Sequence, residues 1–459
     1  MTWEPVIGLE VHVQLATRSK CFSGSATLFG APPNSLTDPV VLGLPGALPS
    51  FNRRALEMAI TLGLACGCEI RARSRFARKH YFYPDLPKGY QISQYDEPLC
   101  EGGAVEVGGR AIRLRRIHLE EDAGKNIHQA GGRLSQVDLN RAGVPLIEVV
   151  SEPDIFSAAE AAAYMRELRE LVRWYDISGG DMEKGQLRCD ANVSLRPPGS
   201  SDLGTRTELK NINSFKFVAE AIEHEITRQA AILDEGGQVV QETRLWDADA
   251  GTSLSMRSKE EAMDYRYFPD PDLPPLEVDG EVLARVTSRL PKPRSAYRSS
   301  FTAAGNLSDE HIDYLTADRA RAERYATVAG SEDGRLIANY MLQDPDGRLE
   351  AGHLKRLAEL QRTATVSGNG AKQIIVELLR RGGDPDRIKD ELGLAQVSDA
   401  AEIESIAADV VAANPSQAAS YRAGKTALLG YFVGQLMKKS GGKANPQLAS
   451  DILKKLLES

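Results

Sequence analysis

The texture of the chain changes once, near residue 290, and that change limits its architecture more than any single motif. Before it, short β-type runs alternate with Gly, Pro, Asn and Asp, the pattern of an α+β fold. The Pro-rich stretch 268–275 and the Leu290-Pro291-Lys292-Pro293 link then give way to Ala-, Leu-, Arg- and Glu-rich helical segments. A polar, Gly-bearing break at 363–370 marks a second boundary. The expectation is a large antiparallel-sheet domain over 1–292, an all-α domain over 293–365 and a small helical tail domain over 366–459. The length of 459 residues has room for about three domains of ordinary size.

Composition removes several classes. With 42% hydrophobic and 26% charged residues, the chain can bury large cores and is not disordered. A net charge of −8 means that any nucleic-acid contact must come from a local patch. No run approaches the roughly 20 apolar residues that span a bilayer, and the first residues lack a basic region followed by an apolar run. A cytoplasmic protein with no membrane partner is expected. The five scattered cysteines, Cys21, Cys66, Cys68, Cys100 and Cys189, read as buried thiols in a reducing compartment.

Alternation shows which side chains share a face. In 9–15 the apolar residues take one side and Glu10, His12 and Gln14 the other. Arg188, Asp190, Asn192 and Ser194 form a second polar row, and Arg206, Glu208 and Lys210 a third. Such rows either face water or, in one sheet, gather carboxylates, an imidazole and amides into a site. The acidic run Glu120-Glu121-Asp122 beside Gly124 and Lys125, and the lone Glu148 in an apolar run, could complete it with a hard divalent ion. A solvated acidic loop is the other reading of 120–122.

The segment 78–94 interleaves cations with Tyr81, Tyr83 and other rings, suited to a nucleotide or an RNA end, or equally to a core plug under a loop. From 416 to 459, seven cations (Arg422, Lys425, Lys438, Lys439, Lys443, Lys454 and Lys455) stand against Asp451 and Glu458, which fits either phosphate contact or solvated helix faces. The capping box Ser157-x-x-Glu160 and the run after Ser214 announce two helices. No zinc-protease or esterase signature is present.

Seven motifs of the first half are Val6-Ile-Gly-Leu-Glu-Val-His-Val-Gln14, Tyr81-Phe-Tyr-Pro-Asp-Leu-Pro-Lys-Gly-Tyr-Gln-Ile-Ser-Gln94, Leu119-Glu-Glu-Asp-Ala-Gly-Lys125, Val137-Asp-Leu-Asn-Arg141, Leu187-Arg-Cys-Asp-Ala-Asn-Val193, Glu208-Leu-Lys-Asn-Ile-Asn-Ser214 and Asp264-Tyr-Arg-Tyr-Phe-Pro269. Together with Tyr421-Arg-Ala-Gly-Lys425, Gly434-Gln435 and Gly442-Lys-Ala-Asn-Pro446, they strongly resemble the B subunit of the tRNA-dependent aspartyl/glutamyl amidotransferases. The resemblance implies a cradle-shaped catalytic domain, a helical domain and a tail that touches tRNA. It implies a heterotrimer with an amidase (A) subunit, plus a small (C) subunit, acting on misacylated tRNA, with the misacylating synthetase as a further partner. The B subunit would use ATP and Mg²⁺ to phosphorylate the side-chain carboxylate of Glu or Asp on tRNA, and ammonia released from glutamine by the amidase would displace the phosphate.

By motif match, His12, Glu121 and Glu148 are expected as metal ligands, with Glu10, Asp190 and Lys210 in the catalytic group. Lys79, Tyr81, Tyr83, Lys88, Lys125, Asn192 and Glu208 are expected to bind nucleotide, and Arg422, Lys425, Lys438, Lys439 and Lys443 to bind tRNA. Many relatives carry four cysteines where this chain has Ser23, Ser25, Asp38 and Val41, so no structural zinc is expected. No amidase Ser/Lys constellation is recognisable, so the glutaminase step belongs to a partner. Other readings are a module that only positions tRNA, a stand-alone Mg²⁺-dependent phosphotransferase that would not need the basic tail, and the related archaeal Glu-specific protein, whose inserted domain has no room here.

Overall fold

The computed structural model describes residues 3–128, 134–258, 265–330, 332–396, 400–441 and 444–458. The chain divides into two compact units, Met1–Pro291 and Lys292–Ser459. Ten strands among the described residues of the first unit form one sheet. From edge to edge they are Thr252–Ser258, Glu242–Asp247, Thr207–Ile212, Leu187–Arg196, Glu4–Gln14, Pro145–Ser151, Arg110–Glu121, Cys100–Glu101 and Glu69–Ile70, while Ala104–Val107 also pairs with Arg110–Glu121. The class is α+β, as expected, but the sheet is mixed. Thr207–Ile212 and Glu242–Asp247 run parallel, because the helix Phe215–Asp234 lies between them in the chain and carries it back to the end it left, as a parallel crossover requires.

The apolar parity of the central strands forms the core. Ile7, Val11, Val13, Leu187, Ala191 and Val193 are fully buried, each of the larger aliphatic side chains contributing roughly 1.5–3 kcal/mol. Gln229 of the helix Phe215–Asp234 donates to the carbonyl of Val193 and to Thr207 Oγ1, which places that helix on the face opposite the polar rows. The other expected helix, Ala158–Trp174, buries Tyr164, Leu168 and Val172 at helical spacing. Ser157 caps it by accepting the Glu160 N–H at 3.1 Å. The Glu160 carboxylate reaches the Phe156 N–H at 2.9 Å, one residue beyond the donor a capping box would use. All five cysteines are buried and unbridged. Asp38 accepts the Val41 N–H at 2.9 Å and the hydroxyls of Ser23 and Ser25, so these four positions make a hydrogen-bonded turn.

The second unit is built from helices. The two sides of residue 365 hold each other. Arg356 of the helix Ala351–Arg362 pairs with Asp386 at 2.6 Å, and Arg348 donates to the carbonyl of Leu379 at 3.3 Å. Helices from Ala400 to Glu458 enclose a core of their own, formed by Ile403, Ala407, Val410, Phe432, Leu436 and Leu453 among others.

Candidate metal centre and adjoining cleft

Strand register brings the polar rows onto one face. Glu10 lies opposite Asp190, and His12 opposite Arg188 on one side and Glu148 on the other; Glu148 in turn lies opposite His118. Parity then sets Glu120 on the face of His118 and His12, and Glu121 on the reverse. His12 Nε2 lies 3.4 Å from Glu120 Oε1 and 3.4 Å from Glu148 Oε2, and His118 Nε2 is 3.5 Å from the same Glu148 oxygen. One ligand atom each from His12, Glu120 and Glu148 falls within a 4.8 Å span. Glu120 is 2% exposed, yet its Oε1 has no hydrogen-bond partner among the described residues, and neither has His118 Nδ1. A buried carboxylate oxygen that accepts no hydrogen bond is costly unless a cation meets it.

The electrostatics agree. Burial opposes a charge on His12, but its hydrogen bond to Glu148 and the carboxylates of Glu148 and Glu120 push it up to about 9. Burial lifts Glu148, and His118 and His12 outweigh it, holding this carboxyl well below the usual range. Burial raises Glu120 and drives His118 down to about 4. A divalent cation would take the place of the His12 proton.

Glu121, expected as the third ligand, is not in this group. It faces the other way, pairs with Lys88 and accepts the Ile92 N–H at 3.0 Å. The alternation of its own strand decides this, and Glu120 takes the position. Lys88 is turned away from the metal group with its partner. Next to His12 a second set assembles. Asn192 donates to Glu10 at 3.0 Å, Lys210 pairs with Asp190 and with Glu208 at 3.0 Å, and Glu208 also accepts from Thr243 at 2.8 Å. Burial raises Glu10, with Glu148, Glu208 and Asp190 adding to it. Arg206 precedes its strand and is exposed, so it is not part of the row.

A small sheet of Phe268–Pro269, Ala77–His80 and Tyr90–Ser93 supplies Lys79. Burial opposes its charge, and Glu120 together with Tyr267, Tyr265 and Glu148 more than restores it, so its pKa is raised. Ser93 donates to Glu120 Oε2 at 3.3 Å. Tyr81 lies near Lys79; Tyr83, on the following loop, is 56% exposed and meets Tyr81 edge to face at 6.2 Å. Beside the carboxylates opens a cavity of about 720 Å³ lined by Gln14, Lys125, Asn140, Arg141 and Arg188, among others, a size suited to a small ligand. Asp122 anchors its inner wall, accepting from Gln14 at 2.8 Å and Arg188 at 3.0 Å. His118 and Arg141 had no role assigned from the sequence, and Asp122 only a place in the acidic run; the parity of 118 with 120 was the available signal for the first.

Residues 5–284 match the family model described as the GatB/GatE catalytic domain, and residues 328–457 the one described as the GatB domain. The B subunit of the aspartyl/glutamyl-tRNA(Asn/Gln) amidotransferase of Alkalilimnicola ehrlichii is 50% identical over 478 residues, with 100% of both chains covered. The chain belongs to this B-subunit family. The namesake from Myxococcus xanthus is 48% identical over 472 residues, with 99% of this chain and 98% of that one covered; the namesake from Persephonella marina is 48% identical over 476 residues, with 100% of each covered. The likeness read from the motifs is therefore the family relation. Among the described residues no helix is long and apolar enough to cross a membrane.

The second family match includes the basic tail, where the expected cations have different surroundings. Lys425 and Lys438 are both exposed. Lys439 pairs with Asp409 at 2.6 Å, and Arg422 donates to the carbonyl of Leu457 at 3.1 Å, holding the end of the last helix. Lys443, like Gly442 and Asp264 of the family motifs, lies outside the described residues.

Proposed function

We propose that the chain is the ATP-dependent transamidating subunit of a glutamine-hydrolysing aminoacyl-tRNA amidotransferase. It acts in the cytoplasm on Glu-tRNA(Gln), Asp-tRNA(Asn) or both, in a heterotrimer whose other members are an amidase and a small third protein. The observation that carries this reading is the buried His12–Glu120–Glu148 group, whose Glu120 Oε1 accepts no hydrogen bond among the described residues, beside a cation-lined cleft. The names of the relatives supply the substrate class.

The donor set fits a hard divalent cation, since two carboxylates supply oxygen and one buried oxygen accepts no hydrogen bond among the described residues. His12, Glu120 and Glu148 would hold Mg²⁺, which supplies positive charge to a phosphoryl group in transfer. A carboxylate cannot expel oxide, so its oxygen first takes the γ-phosphoryl group of ATP, giving an acyl phosphate and ADP. The ammonia lone pair then attacks the carbonyl carbon, the bond from carbon to the phosphate-bearing oxygen breaks, and phosphate leaves. Lys79 and Lys210, with Lys125, Arg141 and Arg188 in the cleft, face the phosphate oxygens. Glu10, raised by burial and its acidic neighbours, takes the proton that the attacking nitrogen sheds. The tail cations hold the tRNA body, and we place the start of that tail domain at the change of core near residue 400.

The test is amide formation by the complete heterotrimer, on misacylated Glu-tRNA(Gln) and Asp-tRNA(Asn) separately, with and without ATP and Mg²⁺. ATP-dependent Gln-tRNA or Asn-tRNA is expected and assigns the substrate range. Glu120→Ala or Glu148→Ala should abolish transfer while tRNA still binds; unchanged transfer would mean that the chain only positions tRNA and a partner does the chemistry.

A further inference from the structure

The Lys79 ammonium is held by rings. Its Nζ lies 4.8 Å from the centroid of Tyr265 and 6.0 Å from that of Tyr81, and the two rings meet edge to face at 6.0 Å. Tyr265 is itself backed by Tyr267, with centroids 6.2 Å apart, and Tyr267 stacks on Tyr95 at 4.2 Å and 9°. The backbone is shaped for this arrangement. Arg266, between the two tyrosines, has φ +40°, a left-handed conformation that a residue with a long side chain rarely adopts. His80 fastens both sides of it: its N–H donates to the Tyr265 carbonyl at 2.9 Å, its Nδ1 lies 3.3 Å from the Arg266 carbonyl, and its ring stacks on Phe268 at 4.9 Å. Three separate segments thus build a wall of tyrosines that is only partly buried, where an ordinary core would have used aliphatic side chains out of contact with water.

We propose that Tyr265 is a positioning residue that fixes the Lys79 ammonium over the carboxylate group, so that its N–H donors meet the oxygens of the transferring phosphoryl group; this rests on the phosphoryl-transfer reading of the His12–Glu120–Glu148 site. The physical reason is the kind of partner. A carboxylate would hold the ammonium but cancel its charge and occupy its donors. The face of a ring holds the cation through its quadrupole and leaves both charge and donors available to an anion. A lysine side chain has many rotamers, and the ring selects one of them.

The experiment uses the complete complex and combines Tyr265→Leu, Tyr265→Phe, Lys79→Gln and the double variant Lys79→Gln/Tyr265→Leu. Tyr265→Leu is expected to lower kcat about tenfold, the order of a partly desolvated cation–π contact, with little change in KM for tRNA. Tyr265→Phe, which keeps the ring, should recover most of that loss. In the Lys79→Gln background Tyr265→Leu should add less than about twofold, because coupled residues are not additive. Equal losses in both backgrounds, or a Phe variant as poor as the Leu variant, would overturn the positioning role. Mn²⁺ titration of each variant checks that the carboxylate group is intact, and its loss in Tyr265→Leu would make the residue structural and sink the proposal. Glu120→Gln in the same assay reports on the phosphoryl-transfer reading alone: if it keeps wild-type kcat, that reading falls, whereas an additive Tyr265/Lys79 pair removes only the role of Tyr265.

Discussion

Two adjacent glutamates show what a single side chain can decide. Glu120 faces His12 and Glu148, while Glu121 pairs with Lys88 on the reverse face, so the same substitution should have two different effects. Glu120→Gln should lower amide formation and Mn²⁺ affinity by more than the roughly 10–100-fold that loss of an outer metal partner costs, with an unchanged melting curve. Glu121→Gln should leave the metal group in place and destabilise the fold by about 3–5 kcal/mol, as breaking a buried pair does, read as a lowered melting temperature. A third expectation follows from the His12 imidazole. Only its neutral form ligates, and in the metal-free protein it holds a proton up to about pH 9. Metal binding at pH 7–8 should therefore release about one proton from His12, and affinity should climb with pH until about 9. Calorimetry in buffers of different ionisation enthalpy measures this; no proton release would contradict it. Because the folded pKa lies above the ordinary 6.5, charged His12 stabilises the metal-free fold fully below pH 6.5, and that contribution is lost as pH rises through about 9. The polar rows were legible because alternation has an invariant period. The choice between residues 120 and 121 was legible only through parity with His118, and the motif, which contains both, could not separate them.

At the scale of elements, local chemistry was the readable part and pairing was not. Ser157 and Ser214 cap the helices that their sequences announce, and Glu225 of the second helix is fully buried. Its carboxylate meets Arg228 at 2.7 and 2.9 Å and Gln229 at 2.7 Å. Glu225→Ala should cost about 3–5 kcal/mol by removing the carboxylate that holds Arg228 next to the core and leaving it only the longer contact to Glu242 at 3.7 Å, and denaturant unfolding of the whole chain measures it; a loss under about 1 kcal/mol would show that water reaches the site. The parallel pair at the sheet edge was not legible, since alternation is the same in parallel and antiparallel strands. Nor was the wall of tyrosines, because Tyr95 and Tyr267 are distant in sequence and no period relates them.

At the scale of the whole molecule, the change of texture near 290 and the break between the two compact units at Pro291 fall together. The finer break at 365 does not match a change of core, because Gly and polar residues also punctuate helices that go on to pack together. The helices from Ala400 onward have their own core, so removing residues 400–459 should leave Mn²⁺ binding at the His12 group intact. The same deletion should weaken tRNA binding and flatten its dependence on salt, because fewer cations then displace counterions. A full-strength, equally salt-sensitive complex would remove the tail from the tRNA contact. The position of the Glu4–Gln14 strand has a consequence of another kind. It leaves the ribosome long before its two neighbours in the sheet, Pro145–Ser151 and Leu187–Arg196. At ordinary elongation rates the nascent strand, with Ile7, Val11 and Val13 uncovered, waits on the order of ten seconds or more for its partners. Its polar face, including Glu10 and His12, is then a safeguard during synthesis, because a strand apolar on both sides would meet other nascent chains before its own neighbours existed.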